Sequence, residues 1–146
     1  AIPMNPELLS LAENSDPKAV DLMMDFAHGP SGHFGGHPVP GLYHLNTGSM
    51  LVQSKEIKDT LGVDFRACEN YTNGFEAAKK LKLPTLSILA DADRMCRLKD
   101  GQKLADHIAG SEVHVIKNCG HMMLLEEADQ TLAILKKFIL EKYPKD

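Results

Sequence analysis

The chain has 146 residues, of which 43% are hydrophobic and 25% are charged, which is ordinary for a globular domain with its own core. Lys and Arg number 16 against 20 Asp and Glu, giving a net charge of -4 without any basic block, so nucleic-acid binding is not expected. The apolar runs fall short of the roughly 20 residues that span a bilayer, and the N-terminus lacks the features of a signal peptide. These features predict a cytoplasmic protein that binds neither nucleic acid nor membranes.

The cysteines and histidines do not form a recognisable metal or disulfide pattern. The three cysteines are widely spaced and contain no C-x-x-C pair, which predicts free thiols. Four histidines fall in a short, Gly- and Pro-rich stretch with irregular spacing, which is a poor preorganised cage for zinc. They are His28, His33, His37 and His44. We therefore predict no metal site.

The first 73 residues have the pattern of helices and loops. The segments NPELLSLAENS and DPKAVDLMMDFAH each begin with a suitable N-cap, Asn5 and Asp16, followed by a proline that is well accommodated at the first helical position. The run GPSGHFGGHPVP is dense in Gly and Pro and predicts a loop. Weak helical pattern then resumes through about Tyr71, so region 1–73 is expected to be helical.

From Gly74 onwards the pattern changes to strand, helix, strand, helix. Apolar residues from Leu86 to Ala90 predict a buried parallel strand, and EVHVIK predicts a second strand. Gly110 is predicted to end the intervening helix in a left-handed conformation. The last helix is predicted to pack through an apolar stripe. The stripe consists of Leu132, Leu135, Phe138 and Ile139.

Two parallel strands do not make a stable, doubly covered sheet, and strands this apolar require neighbours on both sides. We therefore expect that the chain is a fragment of a larger α/β domain whose other strands precede Ala1, or that identical chains pair. In either case the isolated chain should present an apolar strand edge, which predicts a homodimer.

Three side chains that can carry acid–base chemistry follow the predicted strands. Asp91 and Asp93 follow the first strand, and His121 follows the second. Functional groups gather beyond the carboxyl ends of parallel strands, so a carboxylate and the imidazole can meet there. The carboxylate would fix the histidine tautomer and stabilise its cation, which leaves a general base. Either aspartate could be the partner, and either could instead cap the following helix.

The segments ADADRMCRLKDGQKLADHI and VHVIKNCGHMMLLEEADQTLAILKKFI resemble the last third of α/β-hydrolases of the esterase and carbon–carbon-hydrolase branch. In that family an acid follows the penultimate strand, and a G-H turn follows the last strand, with an acidic residue shortly after it. Asp93 matches the acid, Gly120 and His121 match the G-H pair, and Glu126 matches the trailing acidic residue. Ala90 stands where a glycine is usual, and the Val-Pro that commonly follows the acid is absent.

The resemblance implies that Asp93 and His121 are the acid and the base of a catalytic triad. The nucleophile elbow of the family needs G-x-S-x-G between a strand and a helix, and this sequence contains no such pattern. The nearest string, GPSGH with Ser31, follows no predicted strand. Cys119 is too close to His121 to face it and is predicted to be a resting thiol. We therefore expect the serine to lie upstream of Ala1.

The sequence thus predicts the C-terminal portion of a serine α/β-hydrolase, with a helical cap at 1–73 and the end of the core at 74–146. The parent enzyme would cleave an ester or carbon–carbon bond in a small-molecule ester or acyl substrate, no cofactor is implied, and this chain alone should be inactive. The alternative is a non-catalytic α/β interaction domain that dimerises through its strand edges.

Overall fold

The computed structural model of the chain describes residues 3–30 and 60–144. Within these residues there are seven helices and two strands, which fall into two units. The first unit contains residues 3–26 and 60–74, and the second contains residues 27–30 and 75–144. The predicted Gly- and Pro-rich loop beyond Pro30, including Ser31, lies outside the described residues.

The first unit is helical, as the sequence predicts. Its helices are α1 (Pro6–Glu13), α2 (Lys18–Ala27), whose last residue belongs to the second unit, and α3 (Thr60–Asn70). The Oδ1 atom of Asn5 accepts the amides of Glu7 and Leu8 at 2.9 and 3.1 Å. Asp16 accepts the amide of Lys18 at 2.9 Å. Both side chains satisfy amides that a helix leaves without internal partners, so both predicted N-caps are confirmed.

One apolar cluster packs the helices of the first unit together. Its buried members are Leu8, Leu9, Ala12, Ala19 and Phe65. At the surface Arg66 forms ion pairs with Glu13 and Glu69. Because these charges are exposed, they contribute little to stability, and burial of the apolar side chains is what holds the helices together.

The second unit has the predicted strand, helix, strand, helix order. Its elements, preceded by α4 (Gly74–Ala78), are β1 (Leu86–Ala90), α5 (Leu98–Ala105), β2 (Glu112–Ile116), the short α6 (Met123–Glu126) and α7 (Ala128–Lys142). The two strands pair in parallel, with Leu86 opposite Glu112 and Ala90 opposite Ile116. The bounds of β1 are those predicted, and β2 ends one residue earlier than EVHVIK implied.

The core of the second unit lies where the sheet meets the last two helices. Ala90, Ile116 and Cys119 are almost completely buried, with Ile134 of α7 packed against them. Thr131 of α7 is also buried. No described helix is long and apolar enough to cross a membrane.

The orientation of α7 corrects the predicted apolar stripe. Leu132, Leu135 and Ile139 are 63%, 39% and 46% exposed, whereas Thr131 and Ile134 face the core. The junction with α6 provides a reason, because the Thr131 hydroxyl lies 3.1 and 2.8 Å from the carbonyl oxygens of Met123 and Glu127. These bonds give the buried hydroxyl of Thr131 acceptors at the α6–α7 junction.

Gly110 also differs from its predicted role. It has a positive φ of 76°, but α5 ends earlier, at Ala105, with Asp106 as its C-cap residue. Short turns follow the helix, with the amide of Ile108 donating to Ala105 and the amide of Ser111 donating to Ile108. Gly110 therefore shapes the turn into β2 and does not end the helix.

Candidate catalytic site

The turns that follow β1 and β2 lie side by side at the carboxyl edge of the sheet. The amide of Asp91 donates to the Ile116 carbonyl at 3.1 Å, and the amide of Ala92 donates to the Cys119 carbonyl at 3.0 Å. The Oδ1 atom of Asp91 also accepts the amide of Asn118 at 2.7 Å. Asp91 therefore joins the main chains of the two turns.

Asp93 and His121 meet across these turns. The Oδ2 atom of Asp93 lies 2.9 Å from Nδ1 of His121. The other carboxylate oxygen accepts the amides of Met95 and Cys96, each at 2.8 Å. The Asp93 side chain is only 5% exposed, whereas that of His121 is 42% exposed. The structure thus brings together the two residues predicted for the site and gives Asp91 a different contact.

The contact between Asp93 and His121 changes how both groups titrate. Burial acts to raise the pKa of Asp93, but the hydrogen bonds from His121, Cys96 and Met95 outweigh burial and hold that pKa below its ordinary value. The hydrogen bond with Asp93 raises the pKa of His121 against the opposing effect of burial. An ionised Asp93 accepts the Nδ1–H of His121, which leaves Nε2 as the basic nitrogen.

Cys119, two residues before His121, is held as a thiol. It is completely buried, and its Sγ lies 3.5 Å from the carbonyl oxygen of Gly120. Burial is the main cause that raises the pKa of Cys119 to about 12, with the charge of Glu126 adding to it. Because the thiolate is the nucleophilic form, this geometry agrees with a resting thiol.

The turn between β2 and α6 carries His121 and is called the histidine turn below. It is also held by contacts that the sequence did not predict. The amide of His121 donates to the carbonyl of Ala27, at the end of α2, at 2.7 Å. The Oε2 atom of Glu126 accepts the amides of Gly29 and Gly120 at 2.9 and 3.0 Å. Gly29 and Glu126 are 97 residues apart, so no local pattern signals the contact. In the sequence, only the family resemblance drew attention to Glu126, as the acidic residue that follows the G-H pair.

Among the residues that the structure describes, no group of three or more His, Cys, Asp or Glu side chains could hold a metal ion. His28 is buried, with 8% exposure. The other members of the histidine stretch, His33, His37 and His44, lie outside the described residues.

Comparison with known proteins identifies the fold family that the chain resembles. No protein-family model matches the chain. A proline iminopeptidase of Lactobacillus crispatus (strain ST1) is 36% identical over 64 residues, which cover 44% of this chain and 22% of that protein. A solved structure of a thermophilic esterase matches with a TM-score of 0.71 and 26% identity, over 97% of this chain and 53% of its own. The chain has the fold of the C-terminal part of an α/β-hydrolase.

A third comparison widens the range of α/β-hydrolases involved. The 2-hydroxy-6-oxononadienedioate/2-hydroxy-6-oxononatrienedioate hydrolase of Escherichia coli O139:H28 (strain E24377A / ETEC) is 30% identical over 82 residues, covering 49% of this chain and 28% of that protein. The chain thus spans about a quarter of the length of these curated α/β-hydrolase relatives and about half of the esterase structure. The predicted family resemblance and the predicted fold class are confirmed.

Proposed function

We propose that this chain supplies the acid, Asp93, and the general base, His121, of a serine α/β-hydrolase whose nucleophile lies outside this sequence. The observation that carries the proposal is the 2.9 Å contact between Asp93 Oδ2 and His121 Nδ1. It occurs at the carboxyl edge of parallel strands, where functional groups of α/β folds gather. The similarity to hydrolases supports the class of reaction.

The chemistry follows from the unequal environments of the two residues. Buried Asp93 stays ionised and holds the Nδ1–H of His121, so Nε2 can take the proton of a serine hydroxyl as the hydroxyl oxygen attacks the substrate. The imidazolium that forms is stabilised by Asp93, and it then returns the proton to the leaving group. The partial exposure of His121 leaves room for a substrate and a nucleophile to approach.

The similar proteins bear on the substrate class. The esterase and the dienedioate hydrolase support cleavage of an ester or carbon–carbon bond in a small molecule, whereas the proline iminopeptidase points to a peptide substrate. We also propose that region 1–73 serves as a helical cap and region 74–146 as the end of the core. The helices α1, α2 and α3 support the first assignment, and the parallel pair of strands supports the second. Cytoplasmic location stays a prediction.

The proposal is tested with the protein expressed from the coding sequence that includes the residues upstream of Ala1. A fluorophosphonate probe should label a serine there, within a G-x-S-x-G sequence. His121→Ala should lower the labelling rate at least about 100-fold, since general-base catalysis contributes about that much or more. Labelling that does not depend on His121, or the absence of G-x-S-x-G upstream, would contradict the proposal.

The isolated chain provides the control for that experiment. It should hydrolyse p-nitrophenyl acetate no faster than its own His121→Ala variant, because the base has no serine hydroxyl to activate. A clear histidine-dependent rate would show that His121 acts in these 146 residues without a serine from outside them.

A second candidate is a non-catalytic domain that dimerises through its strand edges. Two observations favour association: each strand has one hydrogen-bonded neighbour within the described residues, and apolar side chains of α7 are exposed. Leu132 is 63% exposed and Leu140 is 47% exposed. The serine-labelling experiment separates the two candidates, because a non-catalytic domain gives no labelling that depends on His121.

A further inference from the structure

The carboxylate of Glu126 joins the histidine turn to a distant part of the second unit. Its Oε2 atom accepts the amide of Gly29 at 2.9 Å and the amide of Gly120 at 3.0 Å. Gly120 directly precedes His121, whereas Gly29 lies 97 residues before Glu126. Hydrogen bonds to a charged acceptor are roughly twice as strong as neutral ones. Glu126 therefore fixes the main chain immediately before the imidazole.

The two main chains that Glu126 joins are too close to admit a side chain. A Cβ atom on Gly29 would lie 2.5 Å from the amide nitrogen of Gly120, and a Cβ atom on Gly120 would lie 2.8 Å from the carbonyl oxygen of Ala27. This approach also lets the amide of His121 donate to Ala27 at 2.7 Å. Hydrogen bonds donated by the amides of Gly29, Gly120 and His121 thus converge on one short stretch.

The second carboxylate oxygen distinguishes Glu126 from a neutral acceptor. Its Oε1 atom is buried and has no hydrogen-bond partner within residues 3–30 and 60–144. A neutral acceptor would satisfy the two amides equally well. Burying a carboxylate of which only one oxygen accepts hydrogen bonds costs free energy that a neutral acceptor would not cost. The charge also reaches the imidazole, since the pKa of His121 is raised first by the hydrogen bond with Asp93 and further by Glu126.

We propose that Glu126 is a positioning residue for His121, which acts through the main chain of Gly29 and Gly120 to hold the imidazole against Asp93. The proposal rests on the proposed function, because only a catalytic imidazole needs such placement. When the histidine turn shifts, Nδ1 moves away from Asp93. Misplacing a catalytic group by about 1 Å costs up to about 100-fold in rate.

The test compares two variants of Glu126 with a matched control by NMR. Glu126→Ala should lose the His121 Nδ1–H signal and shift the amides of Gly29 and Gly120 upfield. Glu126→Gln retains one oxygen for both amides, so it should keep those amide shifts while the pKa of His121 falls. Glu127→Gln removes the same charge one residue further on, and it should leave the pKa of His121 unchanged.

Two results would overturn the proposal. One is a folded Glu126→Ala variant whose His121 Nδ1–H signal and pKa equal those of the unaltered chain. The other is a Glu126→Gln variant that keeps the amide shifts of Gly29 and Gly120 but loses the His121 Nδ1–H signal, since the two amide bonds would then not be what holds the imidazole, and this result decides the matter if Glu126→Ala does not fold. In the longer protein, Glu126→Ala should slow serine labelling by about 10- to 100-fold.

The NMR measurements report the imidazole itself and not turnover. Their expected results fail to appear only if Glu126 does not position the imidazole. Loss of His121-dependent serine labelling with intact positioning would instead contradict the proposed function alone.

Discussion

Asp93 and His121 are held by different means. Three donors hold the Asp93 carboxylate, namely His121 and the amides of Met95 and Cys96, and its side chain is 5% exposed. The imidazole has one bond to this carboxylate, and 42% of the side chain is exposed. The acid is therefore the fixed member of the pair, and the geometry of the base depends on the turn that carries it.

The two groups respond to pH in opposite directions. Because folding raises the pKa of His121, its contribution to stability is present below its unfolded pKa of about 6.5 and is lost as pH rises through the folded pKa. Because folding lowers the pKa of Asp93, its contribution is present above its unfolded pKa of about 3.9 and is lost as pH falls through the folded pKa. The pair thus favours folding most between these limits.

Asp93→Asn should lower the pKa of His121, because the variant removes the negative charge that raises it and leaves at most a hydrogen bond to a neutral acceptor, while burial remains. It should also weaken the loss of unfolding free energy as the pH rises above about 6.5, where the folded imidazole gives up its proton. NMR titration of the imidazole and urea unfolding across that range measure the two effects.

Asp91→Asn is the matched control, since Asp91 lies two residues away and bonds to Asn118 instead. It should change the His121 pKa far less. Equal falls in the two variants would show that Asp93 is not the specific partner of the imidazole.

At the scale of elements, the turn after β2 is held in place by hydrogen bonds from its main-chain amides to other segments of the chain. The turn after β1 supplies Asp91, which accepts the amide of Asn118 at 2.7 Å. The end of α2 supplies the Ala27 carbonyl, which accepts the amide of His121. The close approach on this second side requires glycine at position 120.

Gly120→Ala should destabilise the chain by about 1–3 kcal/mol, as overpacking typically does. The added Cβ would lie 2.6 Å from the carbonyl carbon of His28 and 2.8 Å from the Ala27 oxygen, and main-chain atoms cannot move aside without breaking hydrogen bonds. Urea unfolding followed by circular dichroism measures the change in free energy.

Gly101→Ala is the control for that substitution. Its Cβ would lie 2.6 Å from the Leu89 Cδ2 atom, the end of a side chain that can rotate away. Alanine also gains about 1 kcal/mol of helix propensity within α5. Its net change should be small, and a loss as large as that of Gly120→Ala would contradict the distinction between main-chain and side-chain crowding.

The sequence predicted those features that local pattern determines. Asn5 caps α1 through amides two and three residues away, and the apolar run from Leu86 to Ala90 is β1. The meeting of Asp93 with His121 follows from a topological rule for parallel strands. The contact of Gly29 with Glu126 spans 97 residues, and neither spacing nor propensity encodes such a pairing.

The packed face of α7 could not be predicted for a related reason. Apolar side chains occur on two faces of this helix, one with Ile134 and the other with Leu132 and Leu135. Periodicity identifies apolar faces, but it does not say which one the rest of the chain covers. The face that is covered carries Thr131, whose hydroxyl is bonded at the α6–α7 junction.

At the scale of the whole molecule, the second unit leaves apolar surface uncovered. Leu124, Leu132 and Ile139 are 71%, 63% and 46% exposed. Within the described residues β1 and β2 form a two-stranded sheet, so each strand has one hydrogen-bonded neighbour there. Burying one large apolar side chain is worth about 1.5–3 kcal/mol, so this surface favours association, either with further α/β-hydrolase core or with a second copy of the chain.

The isolated chain should therefore self-associate, and Leu132→Lys should weaken the association because it places a charge in the exposed stripe of α7. Sedimentation velocity over a range of concentrations measures the effect. Val63→Lys is the matched control, since Val63 is 62% exposed against 63% for Leu132 and lies on α3 of the other unit. It should leave the association unchanged. A chain that stays monomeric at high concentration, or equal effects of the two substitutions, would show that the α7 stripe is not where copies of this chain meet.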